Sequence, residues 1–172
     1  PLKLIERLVA LIPPRIALAQ RNGWSCTIRR SPEEPAVADK KLTGKIAPER
    51  IRLLQVPRPP EGIIDGYRAL GQASGVLSDV MDELGITGVV AASVLKPTLP
   101  GSCIAGPALT VRNIVQREHV YETARRHVNR MAEFEGHNLA CPGDVIVIDG
   151  VPGISNMGGI SAQTGKRQGE AG

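Results

Sequence analysis

Apolar positions change their spacing along this chain. Residues 2–12 place Leu4, Ile5, Leu8, Val9 and Ile12 on one helical face, and Pro13-Pro14 stops the run. Residues 24–43 have no sustained period, and SPEEPAVADKK reads as a linker. A helix is predicted over 61–70, with Ile63, Ile64, Tyr67 and Leu70 able to face inward. A second is predicted from 78 to 84. Ser74 is a possible cap and Ser78 a better one, Val80, Met81 and Leu84 form the apolar side, and Gly85 is the stop. Strands are expected near 88–95, 108–114 and 144–149, where branched residues cluster, with a turn at 96–101. Residues 118–134 give the clearest helical pattern. Val120, Ala124, Val128 and Met131 share a face, with Tyr121 and Phe134 beside it, and Gly136 is expected to end it. The turn 141–144 leads into Val145, Ile146, Val147 and Ile148, expected as a buried strand that Asp149-Gly150 ends. Helices between strands suit a compact α/β layer.

Composition narrows the class. With 172 residues, 42% hydrophobic and 22% charged, the chain is long enough for one sizeable domain with ordinary globular chemistry. Aromatics are few, so the core must be aliphatic. No apolar stretch reaches the roughly 18 residues of a membrane span, and Glu6, Pro13, Pro14 and Arg15 interrupt any signal-peptide core. A cytoplasmic setting with no membrane partner is expected. Cys26, Cys103 and Cys141 are scattered and form neither a disulfide framework nor a zinc knuckle. Cys103 and Cys141 are expected as small buried filler. Much of the net charge of +4 lies before residue 60, without aromatic interleaving or a recognition-helix pattern, so direct nucleic-acid binding is not expected.

Several residues have chemistry to weigh. After the 145–149 strand comes a glycine-rich turn with Gly153, Gly158 and Gly159, then a helix from Ile160. Such a junction is either a generic turn or an anion site built from backbone N–H groups and a helix start. It meets neither nucleotide-binding fingerprint. Arg112, late on the 108–114 strand, is either an anion ligand or an ordinary surface arginine. Asp79 and Asp82 are either an i,i+3 metal pair or dipole partners in a first helical turn. His119 and His127 fall on different faces and His137 lies past the expected helix, which argues against a dedicated zinc site. Pro1 carries an amine that could act as a nucleophile, or it marks removal of a preceding residue. There is no Gly-x-Ser-x-Gly elbow and no internal repeat.

Together, LSDVMDELG (77–85), PGSCIAGPALTV (100–111), PGDVIVIDG (142–150) and NMGGISAQTGKRQGEAG (156–172) resemble the RraA-like family. That family contains regulators of ribonuclease E activity and class II 4-hydroxy-4-methyl-2-oxoglutarate aldolases. The resemblance covers residue 45 onward, with a longer helical insert at 116–137, and leaves 1–44 as an N-terminal extension outside the family domain. Within it, LIERLVALIPPR weakly resembles a segment of some transposases.

The resemblance implies an α/β fold, a swivelling β/β/α domain that is incomplete at the C-terminus here. It implies assembly as a homotrimer or a hexamer, and marginal stability for this chain alone. It also implies a divalent-metal-dependent lyase that cleaves a 4-hydroxy-2-oxo diacid to pyruvate and also decarboxylates oxaloacetate. Gly158, Gly159, Ile160 and Ser161 match the stretch whose amides hold the substrate carboxylate, and Arg112 is a secondary candidate for the distal carboxylate. Gly159 replaces an acidic residue common at its position. The catalytic Arg-Asp pair, whose Asp holds Mg²⁺ or Mn²⁺, is expected beyond residue 172, so the chain as given is expected to be inactive and to carry no metal ligand of its own. The alternatives are a non-enzymatic regulator that docks on a ribonuclease, and an inactive fragment.

Overall fold

The structure is a computed structural model that describes residues 40–51, 58–71, 73–128 and 130–172. The helix expected at 2–12, Pro1 and Cys26 lie outside the described residues. The chain divides into two compact units, with described residues 61–103 in one and 40–60 plus 104–172 in the other. Among the described residues no helix is long and apolar enough to cross a membrane.

The 61–103 unit holds two helices, α1 (Ile63–Ala69) and α2 (Ser74–Glu83). Ile63, Ile64 and Tyr67 of α1 and Leu70 just past it are half-buried, and none is fully buried. Helix α2 begins one turn earlier than expected, so Ser78 sits in its middle and caps nothing. Its end follows the sequence reading. Gly85 takes φ 64°, its N–H donates to Asp82 O, and the Ile86 N–H donates to Met81 O, a Schellman closure. Val80 is buried on the expected side. The strand expected at 88–95 does not form. Among the described residues no neighbouring strand takes its backbone groups, and the chain instead turns on itself, with the N–H groups of Val94 and Leu95 both reaching Ala91 O. Val89, Val90, Val94 and Leu95 are left exposed. Cys103 is also exposed, contrary to its expected role as filler.

The second unit is built on two parallel strands, β1 (Ala108–Arg112) and β2 (Val145–Asp149), in register from Ala108 opposite Val145 to Arg112 opposite Asp149. A parallel pair needs a long crossover. Here it contains α3 (Val120–Arg125) and α4 (Glu133–Leu139). Leu109 and Val111 alternate inward as expected and join Leu139 and Ala140 in the core, with Leu42, Ile51, Ile146, Ile148 and Cys141 packed around them. Strand β2 is half-buried rather than buried, with Val147 44% exposed.

The long helix expected over 118–134 is replaced by two short ones. His127 sits at φ 55°, outside helical backbone, and Ala124, Val128 and Met131 on its expected face are exposed. The buried helix is α4, and Gly136, expected to end the 118–134 helix, is at its centre. A Cβ at Gly136 would fall 2.9 Å from Val111 Cγ2, so glycine is what lets α4 lie directly on β1. Close approach to the sheet, rather than the strongest periodicity, decides which stretch becomes the packed helix. The last helix, α5 (Gly159–Gln168), starts one residue before Ile160. Gly169 at φ 79° closes it, and the chain returns alongside β2.

Candidate functional site

The carboxyl ends of β1 and β2 lie side by side, the end at which open parallel sheets bind ligands. From there the chain runs through residues 150–158 into α5. Asn156 holds this loop. Its Oδ1 accepts from Val151 N at 3.0 Å and from Asn113 Nδ2 at 3.1 Å, and its Nδ2 donates to Ile154 O at 2.9 Å. The Asn113 bond ties the loop to the residue just past β1. Gly150 leaves room for this side chain: a Cβ there would fall 2.6 Å from Asn156 Cγ.

Helix α5 opens at Gly158, with φ −108° and ψ 174° and no side-chain cap. The first intrahelical bond here runs from Ala162 N to Gly158 O at 3.0 Å. The N–H groups of Gly159, Ile160 and Ser161 precede it and have no intrahelical acceptor. No acidic residue occupies the first turn, and no described residue comes close to where a Cβ of Gly158 or Gly159 would sit. Three donors and the positive end of a ten-residue helix thus meet at one place, which suits a carboxylate. Ile160 is 74% exposed, whereas Ser161 is buried. Arg112 lies at the same end of the sheet, where its Nε donates to Asp149 Oδ2 at 2.8 Å.

The resemblance implies Mg²⁺ or Mn²⁺. Among the described residues no three His, Cys, Asp or Glu side chains converge as a metal site. Asp149 is spent on Arg112, and Asp79 and Asp82 are exposed on α2.

The amino end of the sheet is built differently. Asp144, fully buried, forms an ion pair with Arg58 through both carboxylate oxygens and also accepts from Cys141 N at 2.8 Å. The returning chain adds three backbone bonds beside β2: Gly143 N to Gly169 O, Ala171 N to Asp144 O, and Ile146 N to Gly172 O, at 2.7–2.8 Å. Cys141 is half-buried here rather than fully enclosed.

Sequence reasoning missed a third group. His137 was expected past a helix, but it lies within α4 and is fully buried together with Glu133. His137 Nδ1 meets the Glu170 carboxylate at 2.9 and 3.0 Å, while its Nε2 and both Glu133 oxygens make no hydrogen bond of normal geometry. Burial pushes the Glu133 carboxyl above its ordinary range, against smaller opposing effects from its own backbone N–H and from His137. The i,i+4 spacing of Glu133 and His137 was the visible signal, but nothing in the residues themselves announced burial. His119 instead caps α3, accepting from Tyr121 N at 3.3 Å. Comparison of the chain with family models, with curated proteins and with solved structures gave no match.

Proposed function

We propose that the junction of the 150–158 loop and α5 is the carboxylate cradle of a lyase of the 4-hydroxy-4-methyl-2-oxoglutarate aldolase type, acting on a small 4-hydroxy-2-oxo diacid and releasing pyruvate. The resemblance to the RraA-like family supplies the substrate class. The observation that carries the reading is the uncapped start of α5, where the N–H groups of Gly159, Ile160 and Ser161 lack helical acceptors and the first turn has no acidic residue. These amides bind and orient the carboxylate beside the keto group. Asn156 holds the loop that delivers them, and Arg112 is the side chain offered to the distal carboxylate. Mg²⁺ or Mn²⁺ with the Arg-Asp segment implied by the resemblance would supply the electron sink for the pyruvate enolate.

The test uses one substitution. Gly159 is the first helical residue, where a missing N–H is tolerated, and Gly158 already has the extended backbone that a following proline requires. Gly159→Pro therefore removes one donor and leaves the helix in place. Titration with pyruvate or oxalate, followed by amide shifts, should perturb residues 158–161 first, and Gly159→Pro should weaken binding about tenfold, the loss expected for one hydrogen bond to a charged group. Shifts spread evenly over the chain, or equal affinity in the variant, would overturn the cradle. Pyruvate release from 4-hydroxy-2-oxo diacids with Mg²⁺ or Mn²⁺ then tests the reaction.

A further inference from the structure

Glu133 and His137 stand one turn apart on the buried face of α4, and the carboxylate that meets His137 comes from beyond α5. Nothing in the carboxylate cradle uses these three groups. We propose that Glu133, His137 and Glu170 form a proton-controlled latch: with Glu133 neutral, α4 is held against the sheet and the returning chain, and with Glu133 charged, α4 opens.

The surroundings of Glu133 make this specific. On α4 itself, Glu135 is buried too, but it is satisfied by Thr43 N, Thr43 Oγ1 and Asn138 Nδ2. From the 40–45 segment, Lys40 donates to Ala140 O and Lys45 lies 4.3 Å over the Phe134 ring. Helix α5 contributes Gly165, where a Cβ would run into the Glu170 carboxylate and would sit 3.4 Å from His137 Cε1, while Lys166 and Arg167 on that helix are exposed. The sheet brings Leu109, Val111, Ile146 and Ile148 against α4, and its charged pairs, Arg58–Asp144 and Arg112–Asp149, are internally matched. Among the described residues Glu133 has no hydrogen bond to a cation, and His137 is already engaged by Glu170. An ionised Glu133 would thus be a buried charge offset only in part by its own backbone N–H and by His137, a costly state that unpacking α4 relieves.

The sign follows from linkage. Burial raises the Glu133 value from 4.5, so folding holds its proton more tightly than the unfolded chain does. That contribution is fully present below the ordinary glutamate value and is lost as pH rises through the folded one. Once Glu133 is charged in the open form, the opening constant of α4 should rise up to tenfold per pH unit, the dependence of one linked proton.

Amide hydrogen exchange of the full chain between pH 4 and 8, corrected for intrinsic chemistry, reads this directly. The opening constant of α4 should climb with pH in the wild type and stay flat in Glu133→Gln, while α2 stays flat in both. A flat α4 profile in the wild type, or the same slope in Glu133→Gln, would overturn the latch. A second measurement needs no variant. In difference infrared spectra of glutamate-labelled protein, a protonated-carboxyl band should persist above the ordinary glutamate range and vanish as α4 opens. Its absence throughout that range would also overturn the latch. Neither readout depends on carboxylate binding at 158–161, so the latch and the cradle can fail independently.

Discussion

The two ends of the β1–β2 pair each carry an arginine–aspartate bridge, and the two bridges do opposite work. At the amino end, the Asp144 side chain is fully buried, Arg58 is 28% exposed, and a backbone N–H completes the carboxylate. At the carboxyl end, Arg112 and Asp149 are 77% and 65% exposed. The residue types are the same and the environments differ. A buried pair is expensive to break because the survivor is stranded, whereas an exposed pair is screened and nearly neutral. The amino end is thus where the unit is closed: Asp144 also receives Ala171 N through its carbonyl, so one residue ties β2, Arg58 and the returning chain together. At the carboxyl end the first N–H groups of α5 have no helical acceptor and no side-chain cap.

This contrast can be broken in three places. Asp144→Ala should have the largest effect, a loss of about 3 kcal/mol, the lower part of the range for halving a buried pair because Arg58 can still reach water. Urea unfolding midpoints would measure it. A loss comparable to that at Arg112 would abolish the distinction between the ends. Gly150→Ala should cost about 1–2 kcal/mol, since the new methyl group displaces Asn156. It should also weaken carboxylate binding at 158–161, because the Asn113–Asn156 bond that places the loop is lost with it. Unchanged binding in that variant would show that Asn156 does not set the cradle. The smallest effect is expected from Arg112→Ala, within about 0.5 kcal/mol in stability. Its cost should appear instead in affinity for a dicarboxylate relative to a monocarboxylate, measured by calorimetry, and equal losses for both would remove Arg112 from the distal-carboxylate role.

How far the sequence could be read depended on what each stretch packs against. β1 was legible because Leu109 and Val111 alternate with polar neighbours, and one face of a strand needs only that period. Gly85 and Gly169 were differently legible: Gly85 was expected as a stop, while the closure at Gly169 followed only from the turn of the chain back to β2. The candidate cradle was visible as a strand, a glycine-rich turn and a helix start. Asn156, which holds it, was not, because its four bonds join residues that are brought together only by the loop and the end of β1. The failed strand at 88–95 had strand composition but no partner among the described residues, and strand propensity is mostly a measure of packing against neighbours. The split helix at 118–134 had helical period but no surface to bury it.

The sequence alone determined the local grammar of this protein: the alternation of β1, the branched run of β2, the glycine turn before α5 and the absence of any acidic group at that helix start. These depend on backbone geometry and on residues close in the chain. Tertiary structure decided which helix is the packed one, that Glu133 and His137 are inside, and that Asp144 rather than Asp149 is the buried partner of an arginine. Each of those outcomes depends on how closely distant segments approach, as with Gly136 on Val111 or Gly165 beside Glu170, and dehydration then sets the energy of the charges so enclosed.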